Sequence, residues 1–433
     1  MTEQLKLKLN DSKATRWGAL VIVAFTMMAA YYVNDVVAPL KTMLETDLAW
    51  SSTDFGFFTG GYSFLNVFFL MLIWGGLILD RFGIRFTGKL ATILMVGGTA
   101  LEYYAMTGLA GADATLFGIN EIFGYKTGVF VAFAGYSIFG VGAEVAGITV
   151  SKIIAKWFKG KELATAMGVQ VALARIGSQA GYAVAIPLAR AFGISTPVLL
   201  GLVLLLGGMI AFFIFAVMDK KLDKQMEAAA IAAGTEDEEE KFSFKDVKNI
   251  LVNPGFWLIA LLCVLFYSCV FPFQKFASEL MIIKYGINEN VAGTFAGLPA
   301  LGALILTPVF GGFIDKRGKS ASIMLLGSAM LICVHFIYAI PDINYWLVAI
   351  VLMIILGIAF SLVPSAMWPA VAKIFPVSQL GTAYALIFFI QNIGLWGIPT
   401  LIGWVLDAYC ISGKKPDGTN MYDYTVPMCI FTS

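Results

Sequence analysis

The sequence predicts an all-α polytopic membrane protein built as two six-helix bundles. Three observations carry that prediction: an excess of apolar residues, their recurrence in spans of membrane-crossing length, and a turn motif that occurs once in each half. Hydrophobic residues make up 59% of the chain and charged residues 13%, where soluble globular chains carry roughly 45–50% and 25%. Such an excess calls for lipid as the solvent. A net charge of +1 supplies no field to draw nucleic acid or another polyanion.

A helix needs about 20 residues to cross a hydrocarbon core of ~30 Å, and eleven stretches reach that length. They are 18–39, 54–78, 86–109, 128–155, 162–187, 195–218, 255–274, 290–313, 320–340, 345–372 and 381–406. The first is too long for the core of a signal peptide, and no small-residue cleavage site follows it, so it is read as a span. After a polar loop the chain re-enters at 425–433, too short at about 1.5 Å per residue to cross, so a twelfth span is expected to be incomplete. The organisation that follows is a first bundle over 1–218, a linker over 219–254 and a second bundle over 255–433. The linker carries the acidic run Glu236-Asp237-Glu238-Glu239-Glu240 and then an amphipathic stretch, and is read as a solvated connection without chemistry.

Most of the 29 basic residues fall in alternate connections. Lys6, Lys8, Lys13 and Arg16 share a face with Arg81, Arg85 and Lys89, with Lys152, Lys156, Lys159 and Lys161, with the linker lysines, and with Lys316, Arg317 and Lys319. The positive-inside rule then turns the N-terminus to the cytoplasm. Four of the five cysteines lie in spans at spacings that suggest neither a metal site nor a disulfide framework. No Ser-His-Asp set, metal cluster or phosphate loop points to an enzyme or to a cofactor.

Gly76-x-x-x-Asp80-Arg81-x-Gly83 follows the second span, and Gly311-x-x-x-Asp315-Lys316-x-Gly318 follows the eighth. A second echo joins Phe158-x4-Leu163-x-Thr165-Ala166 to Phe375-x4-Leu380-x-Thr382-Ala383. Two parallel six-helix repeats related by an axis along the membrane normal are expected from this pattern. The turn resembles the signature loop of the major facilitator superfamily, which implies the major facilitator fold and alternating access. The same resemblance implies that Asp80, Arg81, Gly83, Asp315 and Lys316 belong to a gate. A purely structural anchor is the competing interpretation.

An ionisable residue in mid-membrane costs at least ~2.5–3.5 kcal/mol, so Glu144 and Arg175 need a reason. The fourth and fifth spans turn near Phe158 to Lys161, which is expected to put the two charges at matched depth on neighbouring helices, placed to share one cavity. One interpretation is an ion pair pinning those helices together. The other is a site for a zwitterion, with Arg175 presenting a planar fork to a carboxylate and Glu144 accepting an ammonium. The two are compatible if the pair opens around substrate.

Trp157-Phe158-Lys159-Gly160-Lys161-Glu162-Leu163 followed by Ala174-Arg175-Ile176-Gly177-Ser178 resembles the lysosomal dipeptide transporter branch of the superfamily, in a prokaryotic-type form. So do Tyr267-x3-Phe271-Pro272-Phe273, Pro308-Val309-Phe310-Gly311, Trp368-Pro369 and Gln391-Asn392-Ile393-Gly394. The resemblance implies that Glu144, Arg175 and Trp368 belong to a peptide site, with Tyr267 and Asn392 in matching motifs. Ala146-Gly147-Ile148 departs from the more polar residues of that branch.

Tyr62, Ser63 and Asn66 on the second span, and Asp35 on the first, are further residues within reach of a central cavity, with packing as the alternative. His335 and Glu102 are read as packing groups ahead of proton carriers. The expected function is a secondary or facilitative carrier of small zwitterions, dipeptides first, embedded in a lipid bilayer, with proton symport and facilitated diffusion both open. A carrier of small organic anions and a non-transporting sensor or scaffold are the alternatives. The N-terminal tail lacks an acidic dileucine sorting signal, which places the chain in a cell membrane.

Overall fold

The structure is a computed structural model that describes residues 8–111, 114–233, 244–375, 377–415 and 417–433. The acidic run of the linker lies outside the described residues. All eleven expected spans are helical. The first bundle comprises α1 (Lys13–Val36), α2 (Lys41–Asp47), α3 (Ser52–Phe68), α4 (Met71–Thr107), α5 (Thr127–Trp157), α6 (Leu163–Phe192) and α7 (Thr196–Ala233). After α8 (Phe244–Val252), the second comprises α9 (Pro254–Ile283), α10 (Glu289–Ala296), α11 (Leu298–Arg317), α12 (Ser320–Ala339), α13 (Trp346–Ile374), α14 (Val377–Tyr409) and α15 (Thr425–Thr432). Antiparallel hairpins β1 (Glu121–Ile122) with β2 (Tyr125–Lys126), and β3 (Ile411–Lys414) with β4 (Asn420–Tyr422), sit at one end of the molecule. We call this the hairpin face and the opposite one, where α1 begins, the basic face.

Local chemistry sets the helix ends. Ser51 and Asp54 form a reciprocal capping box at the start of α3, with hydrogen bonds of 3.0 and 2.9 Å. Asn253 caps α9, where Pro254 occupies a first-turn position that needs no N–H donor. Among the described residues, eight helices are long and apolar enough, each by itself, to cross a membrane. The fifth span, α6, is not among them, because Gln170, Arg175, Gln179 and Arg190 make it more polar.

The second span departs from the single helix expected over 54–78. It breaks at Phe69–Leu70, bends by 58°, and holds Leu70 in the left-handed region at φ 53. The third span continues from it through the signature turn, where Gly83 adopts φ 76. Gly318 closes the matching turn in the second bundle at φ 67. Both signature glycines therefore occupy backbone conformations that other L-residues rarely adopt. The sixth span also outruns its expected end: α7 continues to Ala233, and Asp219, placed in the linker by sequence, is buried and accepts from Lys156 and from Trp157 Nε1 at 2.7 and 2.9 Å.

The halves meet along α3 with α14, α6 with α10 and α11, and α9 with α2 and the 3-10 turn Ala38–Leu40 that precedes it. A β-carbon on Gly56 would collide with the Pro399 carbonyl, and one on Gly60 would lie 2.7 Å from Trp396 O and Thr400 Oγ1. Small residues let these backbones touch, the packing mode of helices in lipid.

Candidate functional site

The hydrogen bonds and ion pairs between the halves gather at the hairpin face and at mid-membrane. Thr53 donates its N–H and Oγ1 to Asp407 Oδ2, each at 2.6 Å. Lys41 bonds Glu45 and Glu279, each at 2.5 Å, and Lys275 of α9 reaches Asp35 of α1 at 3.1 Å and the Asn34 carbonyl at 2.5 Å. Tyr182 of α6 donates to Gln274 O at 3.3 Å. At the other end α4 makes few contacts with α14 and leaves Trp74 and Leu77 exposed, while Glu144 and Arg175 between the two faces are half-buried.

Glu144 and Arg175 lie midway along α5 and α6. These helices are consecutive in the chain, but α6 packs chiefly against α1 and α5 chiefly against α4 and α3. No ion pair joins Glu144 to Arg175 among the described residues. Instead the Tyr62 hydroxyl donates to Glu144 Oε1 at 3.0 Å. The Arg175 guanidinium carbon sits 5.6 Å from the Tyr31 ring centroid and 4.9 Å from that of Phe360 in the second bundle. The helix-pinning ion pair considered from spacing is therefore absent among the described residues, and both charges have aromatic partners instead.

The second bundle contributes an aromatic wall. Trp368 Nε1 donates to the Tyr267 hydroxyl at 3.3 Å, Trp368 stacks on Phe388 at 4.9 Å, and Tyr267 stacks on Phe271 at 5.4 Å. Phe360 meets Phe271 edge-on at 5.4 Å. Pro272, Pro364 and Pro369 interrupt the hydrogen-bond ladders of the two helices behind this wall, which lipid tolerates only where protein or water re-satisfies the backbone.

Tyr62, Glu144 and Arg175 are thus brought to the same central level as Tyr267 and Trp368. Asn66 and Asn392 lie one turn from Tyr62 and Phe388, whose carbonyls accept their amides at 3.5 and 2.9 Å. Each is 1% exposed, and its Oδ1 has no partner among the described residues. Ser63 is fully buried with no partner for its hydroxyl among the described residues.

At the basic face Asp80 pairs with Lys152 of its own bundle at 2.9 Å. Arg81 lies over Phe82 and Lys316 is exposed, while the side chain of Asp315 lies outside the described residues. Arg16 near the start of α1 bonds Glu162, one residue ahead of α6, at 2.7 Å.

Sequence reasoning missed the buried charges between the halves. Lys41 and Lys275 fall just beyond the ends of apolar stretches, where a lysine ordinarily reaches the interface, yet they are 1% and 9% exposed. The available signal was spacing: Lys41 with Glu45, and Lys275 with Glu279, stand four residues apart, on one face of a helix.

Comparison with known proteins fits this architecture. The family model described as Major Facilitator Superfamily matches residues 20–397. The lysosomal dipeptide transporter MFSD1 of Homo sapiens is 29% identical over 409 residues, 91% of this chain and 81% of that protein. Its counterpart from Gallus gallus is 33% identical over 287 residues, 63% of this chain and 62% of that protein. Among solved structures, nucleoside transporter NupG matches with a TM-score of 0.70 at 12% identity over 96% of this chain and 95% of that one. Peptide transporter POT matches at 0.66 and 14% identity over 89% and 87%. With helices, paired signature turns and the family match all covering both halves, the chain belongs to the Major Facilitator Superfamily and is a multi-pass membrane transporter rather than an enzyme.

Proposed function

We propose that this transporter carries small zwitterionic solutes, dipeptides first, by rocking its two bundles about the central site. The observation that carries the proposal is the unpaired state of Glu144 and Arg175: opposite charges held at one level, each with donors or acceptors to spare. A carboxylate is recognised by the planar fork of Arg175 and an ammonium by Glu144. Tyr267 and Trp368 wall the cavity, with Tyr62, Asn66 and Asn392 around it. The relatives named as dipeptide transporters support the same substrate class.

The basic face is taken as cytoplasmic, with the chain in a cell membrane and its N-terminus inside, on the weight of the lysine and arginine distribution. The turns bearing Asp80, Arg81, Gly83, Asp315 and Lys316 then form the cytoplasmic gate, and on this reading Asp80 rests on Lys152 while the hairpin face is closed. The test is competition of a dipeptide library against radiolabelled dialanine in liposomes containing the purified carrier. Free dipeptides are expected to compete, and N-acetylated ones, which lack the ammonium, to compete poorly. Equal competition by the acetylated series identifies an anion carrier, and wild-type rates in Glu144→Gln and Arg175→Lys remove both residues from recognition. Uptake that depends on an imposed pH gradient marks proton symport.

A further inference from the structure

A zwitterion site that holds a carboxylate and a guanidinium without pairing them has an obvious way to fail. Opposite charges attract strongly where water is scarce, and an unrestrained arginine side chain has several rotatable bonds with which to seek a partner. An empty site would then collapse into an internal ion pair that substrate must break. Glu144 and Arg175 form no such pair, so something restrains them.

We propose that Tyr31 and Phe360 form an aromatic clamp that keeps Arg175 off Glu144 and thereby holds the zwitterion site open. The inference rests on the reading of the site given above. The guanidinium carbon lies 4.9 Å from the Phe360 centroid and 5.6 Å from the Tyr31 centroid. A ring face attracts the cation electrostatically but consumes none of its five N–H donors. Arg175 is therefore held without being neutralised, and its fork stays available to a carboxylate. Phe360 is itself fixed, 3% exposed and packed edge-on against Phe271 and Tyr267 at 5.4 and 6.3 Å. The Tyr62 hydroxyl restrains the other charge at 3.0 Å.

The clamp has a further property. Tyr31 belongs to α1 and Phe360 to α13, so its two jaws come from different bundles. It is complete only while the halves are closed at the hairpin face, as they are here. Opening that face withdraws Phe360 and frees Arg175, so the site is best organised for substrate in the state open to the basic face. Phe360 acts through Arg175 and is a positioning residue.

The test uses the full-length carrier in liposomes with dialanine uptake, comparing wild type with Phe360→Leu, which keeps apolar bulk without a π face, and Phe360→Tyr, which keeps the face. Phe360→Leu is expected to raise KM about tenfold, the scale of a desolvated cation–π contact, with the maximal rate within about twofold. Phe360→Tyr is expected to restore the affinity. A second measurement needs no substrate: modification of Arg175 by phenylglyoxal, read by mass spectrometry of its peptide. Arg175 is expected to react in wild type, to be protected in Phe360→Leu by pairing with Glu144, and to react again in Phe360→Leu combined with Glu144→Gln. Wild-type KM and labelling in Phe360→Leu overturn the clamp, as do equal losses in Phe360→Leu and Phe360→Tyr, which make the ring mere packing. If wild type takes up no dialanine, the zwitterion reading fails, while the labelling still decides whether the clamp exists.

Discussion

At the scale of single residues, the sequence exposed those charges that lipid makes expensive and hid those that lipid makes cheap. Glu144 and Arg175 stood out because an ionisable group deep in an apolar run has few ways to be satisfied. Lys41 and Lys275 lie nearer the span ends, where a lysine ordinarily snorkels to the interface, so residue type alone carried no sign that both are buried between the halves. Aromatic partners were equally silent: nothing local tells that the Tyr62 hydroxyl faces Glu144. That contact yields a prediction. A hydrogen bond to a charged group contributes about 1.5–3 kcal/mol, and at this half-buried position the lower end applies. Tyr62→Phe is expected to weaken dialanine affinity about tenfold, measured as KM in liposomes, while leaving the unfolding temperature of the detergent-solubilised protein near wild type.

Among the secondary-structure elements, the helices were legible and their breaks were not. Apolar length identified every span, and the signature turns marked where Gly83 and Gly318 must adopt positive φ. The 58° bend in the second span falls at Phe68-Phe69-Leu70, a run with neither proline nor glycine to announce it. The break lies where α3, packed on α14, gives way to α4, which diverges from it. The close crossing of α3 and α14 supplies the second prediction. A methyl group on Gly56 has only the Pro399 carbonyl and the Gly403 backbone to push against, and overpacking of this kind costs about 1–3 kcal/mol. Gly56→Ala is expected to lower the unfolding temperature and to favour the state open at the hairpin face. Cys410, 4% exposed near the end of α14, reports the shift through faster reaction with a membrane-impermeant maleimide; unchanged labelling rules out the crossing as a determinant of closure.

For the molecule as a whole, closure of the hairpin face concentrates four charges in one buried knot contributed by both halves. Lys41 lies 2.5 Å from Glu45 and from Glu279, Lys415 lies 3.8 Å from each, and the Tyr424 hydroxyl donates to Glu279. Two positive and two negative charges leave the knot neutral, so it is tolerable only while complete. Removing one partner of a buried pair costs about 3–5 kcal/mol, whereas replacing both with apolar groups is often neutral or stabilising. Lys41→Met leaves Glu45 and Glu279 with Lys415 alone, and the cheapest relief is to open the face and return both carboxylates to water. Lys41→Met is therefore expected to slow net uptake and speed maleimide labelling of Cys410, whereas Lys41→Met with Glu279→Met, neutral again, recovers slow labelling. If the double variant labels as fast as the single one, the knot does not latch the hairpin face through its charge balance, and closure must rest on the apolar crossings of α3 with α14 instead.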